Sequence, residues 1–76
     1  MKKTIYSKRY KTLRSQLVKA RKASGLTQYQ LAKRLGKPQS FVAKYENGER
    51  RLDVIEFLTV AEELGANPLQ MLIAII

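Results

Sequence analysis

The chain has 76 residues, which is enough for one small domain but too few for a large active-site cavity, since domains of about this size bury only about 60% of their unfolded surface. Fifteen Lys and Arg against six Asp and Glu give a formal net charge of +9, which favours a polyanionic partner. The sequence has no Cys and no His, which excludes disulfides and the commonest metal ligands, so no metal site and no cofactor are expected.

The periodicity predicts an all-α domain of about five helices. Each of the four glycines follows a segment of helical pattern, as expected for left-handed residues after helix ends, and no alternating run of strand length occurs. We expect residues 1–6 to form a basic N-terminal arm and residues 7–76 to form the domain. Helix one should run from about Ser7 to Ser24, with a buried stripe of Tyr10, Leu13, Leu17 and Ala20.

Helices two and three form a closely linked pair. Helix two begins at Thr27, where Gln30 completes a capping box, and ends at Gly36. Helix three occupies about Gln39–Glu46. Only two or three residues join the two helices, and so short a link forces the steep angle of a helix-turn-helix. The predicted buried positions of the pair are Leu31, Leu35, Val42 and Tyr45.

Helices four and five have clear start signals. Asp53 and Glu56 have the spacing of a capping box, and Leu52 and Phe57 have that of a hydrophobic staple. Asn67 followed by proline predicts the N-cap of helix five. This last segment is strongly apolar and contains Leu69, Met71, Leu72, Ile73, Ile75 and Ile76.

The sequence resembles a known family at these same segments. LTQYQLAKRLG at Leu26–Gly36, followed by QSFVAKYENG at Gln39–Gly48, resembles the XRE family, which contains Cro and the lambdoid phage repressors. The resemblance covers about Leu13–Leu72. It implies a five-helix, repressor-like DNA-binding domain that is usually dimeric and regulates transcription. The further matching segments are Glu49–Arg51, Ala61–Gly65 and Asn67–Leu72.

By this resemblance, helix three is the recognition helix and lies in the major groove. The outward residues implied to read base edges are Gln39, Ser40 and Lys44, with Phe41 touching a thymine methyl group or a backbone sugar. The chemistry fits, because Gln pairs bidentately with adenine, Lys donates to guanine, and Ser is permissive. Pro38 departs from the family's usual Ser or Thr N-cap, so a hydroxyl contact is missing there.

The resemblance implies phosphate contacts around this helix. Gln28 matches a residue that binds phosphate and braces the first base reader, and Asn47 matches another phosphate-contacting position, although it also suits a helix end. Arg50 and Arg51 are expected to meet phosphates or a narrow minor groove. Lys37 occupies a position that is usually aliphatic. Its stem can cover the core while its ammonium reaches water and phosphate.

Two further groups have roles away from the bases. The resemblance pairs Arg21 with Glu46 in a partly buried salt bridge between helix one and the end of helix three. The apolar residues Leu69, Ile73, Ile75 and Ile76 are candidates for a homodimer interface, for a protein-partner site, or for additional core.

Charge distribution favours a nucleic acid as the partner, over a merely solvated basic face or an anionic membrane surface. Residues 1–45 carry 13 Lys and Arg and no acid, and the longest uncharged stretch, residues 64–76, is too short to span a bilayer. We expect a soluble cytoplasmic, nucleoid-associated homodimer that binds a palindromic operator and represses transcription. A DNA-binding antitoxin or a protein-interaction adaptor, with an unknown protein partner on helix five, is the main alternative. An enzyme is disfavoured because the acids lie at or beyond Glu46 and no phosphate-cradling glycine loop occurs.

Overall fold

The computed structural model describes residues 7–76, which form five α-helices and no strand. The predicted all-α, five-helix fold is confirmed, whereas the predicted arm, residues 1–6, lies outside the described residues. No helix within residues 7–76 is long and apolar enough to cross a membrane. The helices are α1 (Lys8–Ala23), α2 (Gln28–Leu35), α3 (Gln39–Asn47), α4 (Val54–Glu63) and α5 (Pro68–Ile73).

Side-chain caps set the starts of most helices. The predicted capping boxes at Thr27 and Asp53 are confirmed, with both reciprocal hydrogen bonds present in each. The side chain of Asn67 accepts from two backbone amides at the start of α5. Pro38, the residue before α3, is its N-cap without a side-chain hydrogen bond, and its φ of −70° is the value that the proline ring favours. These local bonds satisfy amides that a helix start otherwise leaves unpaired.

The ends of α2 and α3 set the direction of the chain around the pair. Gly36 and Gly48 both have positive φ, at 69° and 81°, a region in which a Cβ would be strained. One end differs from prediction. α5 stops at Ile73, so Ile75 and Ile76, which the sequence placed on this helix, lie in the turn and terminus that follow it.

The core holds the helix-turn-helix pair against the rest of the domain. Helix α1 supplies Leu17, while α4 and α5 supply Val60 and Met71. All four positions predicted to be buried in the pair pack in this core, although Leu35 is only partly buried. The pair is therefore anchored from one side, and the first residues of α3 stay on the surface. The fully buried residues with the largest side chains are Tyr45, Leu17, Leu31, Val42 and Val60.

Candidate nucleic-acid interface

Helix α3 presents polar side chains to solvent. Gln39, Ser40 and Lys44 are all exposed on this helix. None of them packs inside the domain, so their amide, hydroxyl and ammonium groups can reach an external ligand. Together they offer hydrogen-bond donors and acceptors of the kinds that read base edges in a major groove.

A hydrogen-bonded chain leads from this surface to the inside of the domain. The Nε2 of Gln39 donates to the Oε1 of Gln28 at a long 3.4 Å, and the Nε2 of Gln28 donates to the Oε1 of Glu46 at 2.8 Å. Gln28 is the first residue of α2, while Glu46 lies near the end of α3. The structure therefore brings Gln28 and Gln39 together, as the sequence resemblance implied.

Glu46 is held by a nearly buried arginine. The guanidinium of Arg21 donates from Nε to Oε2 at 2.7 Å and from Nη2 to Oε1 at 3.1 Å, and its Nη1 donates to the Leu26 carbonyl at 2.8 Å. The two side chains are only 11% and 5% exposed. Hydrogen bonding to Glu46 raises the pKa of Arg21 above its ordinary value, although burial opposes this. The pair thus joins α1 to α3 and faces away from solvent.

Phe41 differs from its predicted place on the outward face. Its ring is partly buried against the core and meets Tyr45 edge to face, with ring centroids 5.8 Å apart and an interplanar angle of 69°. The reason is that the residue lies on the side of α3 that turns toward α4. Its remaining surface is approached by cations, since the Nζ of Lys37 lies 5.4 Å and the Cζ of Arg50 lies 4.8 Å from the ring centroid.

The two loop arginines have different surroundings. Arg50 forms a bidentate pair with Glu56, with Nη1 to Oε1 at 2.9 Å and Nη2 to Oε2 at 2.7 Å. These hydrogen bonds, with that from the Asp53 amide, lower the pKa of Glu56 to about 2. Arg51 is exposed, and its Cζ lies 4.7 Å from the Tyr10 ring centroid. The sequence treated the two as equivalent cations, but in the structure Glu56 already balances the charge of Arg50.

Residues of α1 that sequence reasoning did not assign to the site shape its rim. The hydroxyl of Tyr10 donates to the Arg50 carbonyl and accepts from the Leu52 amide, both at 3.2 Å, and so holds the loop after α3. The Nη1 of Arg14 donates to the Glu46 carbonyl at 3.0 Å, near the end of α3. Asn47 is exposed as the last residue of α3, where its side chain can reach solvent.

The apolar end of the chain is largely uncovered in the single chain. Leu69, Ile73 and Ile76 are 69%, 61% and 90% exposed, whereas Ile75 is partly buried. This apolar segment, formed by α5 and the residues after it, is therefore not all core. Val54 and Ile55 at the start of α4 are similarly exposed, and the sequence analysis did not single them out.

Known proteins resemble this chain across the whole of the site. A family model for helix-turn-helix proteins matches residues 17–71. Among solved structures, an XRE-family like protein from Pseudomonas syringae pv. tomato str. DC3000 has a TM-score of 0.87 and 51% sequence identity, over 95% of this chain and 88% of that chain. The search of curated proteins gives no match. Both similarities include α2, α3 and the loop that follows them.

Proposed function

This chain belongs to the XRE family of DNA-binding helix-turn-helix regulators, and we propose that it binds a palindromic duplex operator as a homodimer and represses transcription. The observation that carries the proposal is the exposed side of α3, which presents Gln39 and Ser40 in its first turn and Lys44 in its last. With α3 in the major groove, Gln39 would pair with adenine and Lys44 would donate to guanine. Repression would follow because the bound protein occludes promoter DNA.

Phosphate contacts around α3 would fix its position on the duplex. The exposed cations of Lys37 and Arg51 and the exposed amide of Asn47 border the helix, and Gln28 adds an amide group at the start of α2. The free backbone amides at the start of α2 favour a phosphate oxygen at the same place. Such contacts supply affinity and orientation, whereas the side chains of α3 supply sequence preference.

The homodimer would be formed through the apolar surface after α4. Leu69, Ile73 and Ile76 are too exposed to stabilise the single chain, and burying them against a second copy would remove apolar surface from water. A twofold-symmetric dimer would place two α3 helices on half-sites about one helical turn apart. The preferred site should therefore be an inverted repeat.

Selection of bound fragments from a random duplex pool tests the proposal. We expect an inverted repeat and an affinity that falls steeply with salt. Lys44→Ala should relax the preference at one or two base pairs by about 1–3 kcal/mol. Lys33→Ala is the matched control, since it removes an exposed lysine of α2 and should weaken all duplexes alike. Salt-independent binding, or a pool without any preferred sequence, would contradict the proposal.

A DNA-binding antitoxin or adaptor is the second candidate, and the exposed apolar residues of α5 favour it. Deletion of Ile73–Ile76 separates it from the first. If these residues form the homodimer interface, sedimentation should show a lighter species and weaker operator binding. An unchanged dimer would assign the apolar surface to a different protein partner.

A further inference from the structure

We infer that Glu56 restrains the salt-dependent affinity of this protein for duplex DNA without touching DNA, because it holds Arg50 against Phe41 and keeps that arginine from phosphates. The inference rests on the proposed function and deepens it. Glu56 would act as a positioning residue on α4, outside the helix-turn-helix, and would control how many cations are available to any duplex.

The side chain of Arg50 is held in one conformation by several contacts. Both terminal nitrogens bind the Glu56 carboxylate, at 2.9 and 2.7 Å, and Nη1 also donates to the Arg51 carbonyl at 3.0 Å. The guanidinium lies over the Phe41 ring at the same time. Bidentate pairs of this kind are directional and are among the stronger hydrogen bonds in proteins.

The Glu56 carboxylate is itself fixed by the backbone. Its Oε1 accepts from the Asp53 amide at 3.0 Å in the capping box of α4, so the backbone as well as Arg50 holds the carboxylate in place. The cluster thereby joins three elements, with Phe41 on α3, Arg50 in the loop and Glu56 on α4. A phosphate can recruit Arg50 only by replacing contacts that are already formed.

Arg51 provides the contrast within the same loop. Among residues 7–76, no carboxylate lies within ion-pair distance of Arg51, and its exposed guanidinium stacks on Tyr10. Adjacent residues of the same type therefore offer different net charges to DNA. Arg51 is the available cation, and Arg50 is neutralised.

A role in stability alone explains the pair less well. Its side chains are 40% and 21% exposed, and Glu56 lines a groove of about 200 Å³ together with Phe41, Lys37 and other residues. Solvent-exposed ion pairs contribute little to folding stability. The pair should affect the affinity for DNA more than it affects folding stability. Each cation that neutralises a phosphate strengthens binding to every sequence, including the many competing non-specific sites.

Glu56→Gln is the informative substitution, because Gln is also accepted at this position of a capping box and should keep the start of α4. Affinity for a fluorescent 30-base-pair duplex of random sequence would be measured by anisotropy from 50 to 200 mM salt. We expect the slope of log affinity against log salt to steepen by about 0.9. The ratio of the affinity at 50 mM salt to the affinity at 200 mM salt should therefore rise by a factor of about 3.5. Arg51→Gln should instead lose about 0.9, and Arg50→Gln should leave the slope unchanged.

Two controls separate the inference from general charge effects. Glu62→Gln removes an exposed acid of α4 and should not change the slope, and the double variant Arg50→Gln/Glu56→Gln should restore the slope of the unmodified protein. Circular dichroism would verify that each variant keeps its helices.

The outcomes distinguish this inference from the proposed function. If Arg50→Gln lowers the slope as much as Arg51→Gln, or if Glu56→Gln leaves it unchanged, Arg50 is not withheld and the inference is wrong. If the unmodified protein itself shows no salt-dependent duplex binding, the proposed function fails first. A steeper slope for Glu62→Gln as well would also reject the inference, since net charge alone would then explain the result.

Discussion

Replacing Glu46 with Ala is expected to destabilise the domain by roughly 3 kcal/mol, because it leaves Arg21 charged and nearly buried without its partner. Removing one member of a buried ion pair costs roughly 3–5 kcal/mol. The lower end applies here, since Arg21 keeps its hydrogen bond to the Leu26 carbonyl and 11% of its side-chain surface. Gln28 also loses its acceptor on Glu46, which adds to the cost.

The loss is large for a chain of this size. At roughly 0.05–0.15 kcal/mol per residue, 76 residues give a total stability of about 4–11 kcal/mol. With a urea dependence of about 1 kcal/mol per molar, the midpoint should fall by about 3 M. Equilibrium unfolding in urea, followed by circular dichroism, measures this shift directly.

A double-mutant cycle shows whether the cost arises from the unpaired charge. Arg21→Met removes the other partner and should also destabilise strongly, whereas Arg21→Met/Glu46→Ala leaves no buried charge and should be much less destabilised than the two single changes added together. Glu62→Ala on the surface of α4 is the control and should stay within about 0.5 kcal/mol. Single-variant losses below 1 kcal/mol, or strict additivity in the cycle, would refute the argument for a buried pair.

Three further changes probe other parts of the domain. Gly48→Ala should cost more than Gly25→Ala in thermal unfolding. Both glycines have positive φ, a conformation that costs a residue with a Cβ about 1–2 kcal/mol. Only at Gly48 would the added Cβ also lie 2.7 Å from the Nη1 of Arg14 and disturb the hydrogen bond of that nitrogen to the Glu46 carbonyl. Tyr45→Phe should keep or raise the melting temperature, since the buried hydroxyl has no hydrogen-bond partner among residues 7–76; a loss above 1 kcal/mol would contradict this. Because the pKa of Glu56 is lowered from 4.5 to about 2, its small stabilising contribution is complete above about pH 4.5 and is lost as pH falls through 2. Melting temperatures against pH should show a correspondingly small loss, and Arg50→Gln should reduce it.

The helices were predictable because their signals are local. Thr27, Asp53 and Asn67 each cap amides within three residues of themselves, so the pattern can be recognised in a short stretch of sequence. The end of α5 was not predictable in this way. Ile75 and Ile76 continue an apolar run without a glycine or proline to stop it, so the sequence has no feature that places the helix end at Ile73.

The site was predictable only where resemblance or helix periodicity supplied the position. Helix periodicity left Gln39, Ser40 and Lys44 exposed, as the structure has them. The pairing of Arg50 with Glu56 was missed, because it depends on how the loop folds back onto α4. The roles of Tyr10 and Arg14 depend on how α1 crosses α3 and its loop, across more than 30 residues of sequence, which no local pattern records.

The buried pair and the proposed base reading share one chain of hydrogen bonds. Gln39 gives one Nε2 hydrogen to Gln28, which leaves it one N–H and the Oε1. Adenine in the major groove offers one acceptor and one donor, so the remaining groups of Gln39 match it when the amide is turned this way. Gln28 holds that orientation only while Glu46 accepts from it, and Glu46 stays in place because Arg21 binds it. The exposed amide at the proposed interface is therefore oriented by a charge pair that solvent barely reaches, and loss of this pair should relax base preference as well as stability.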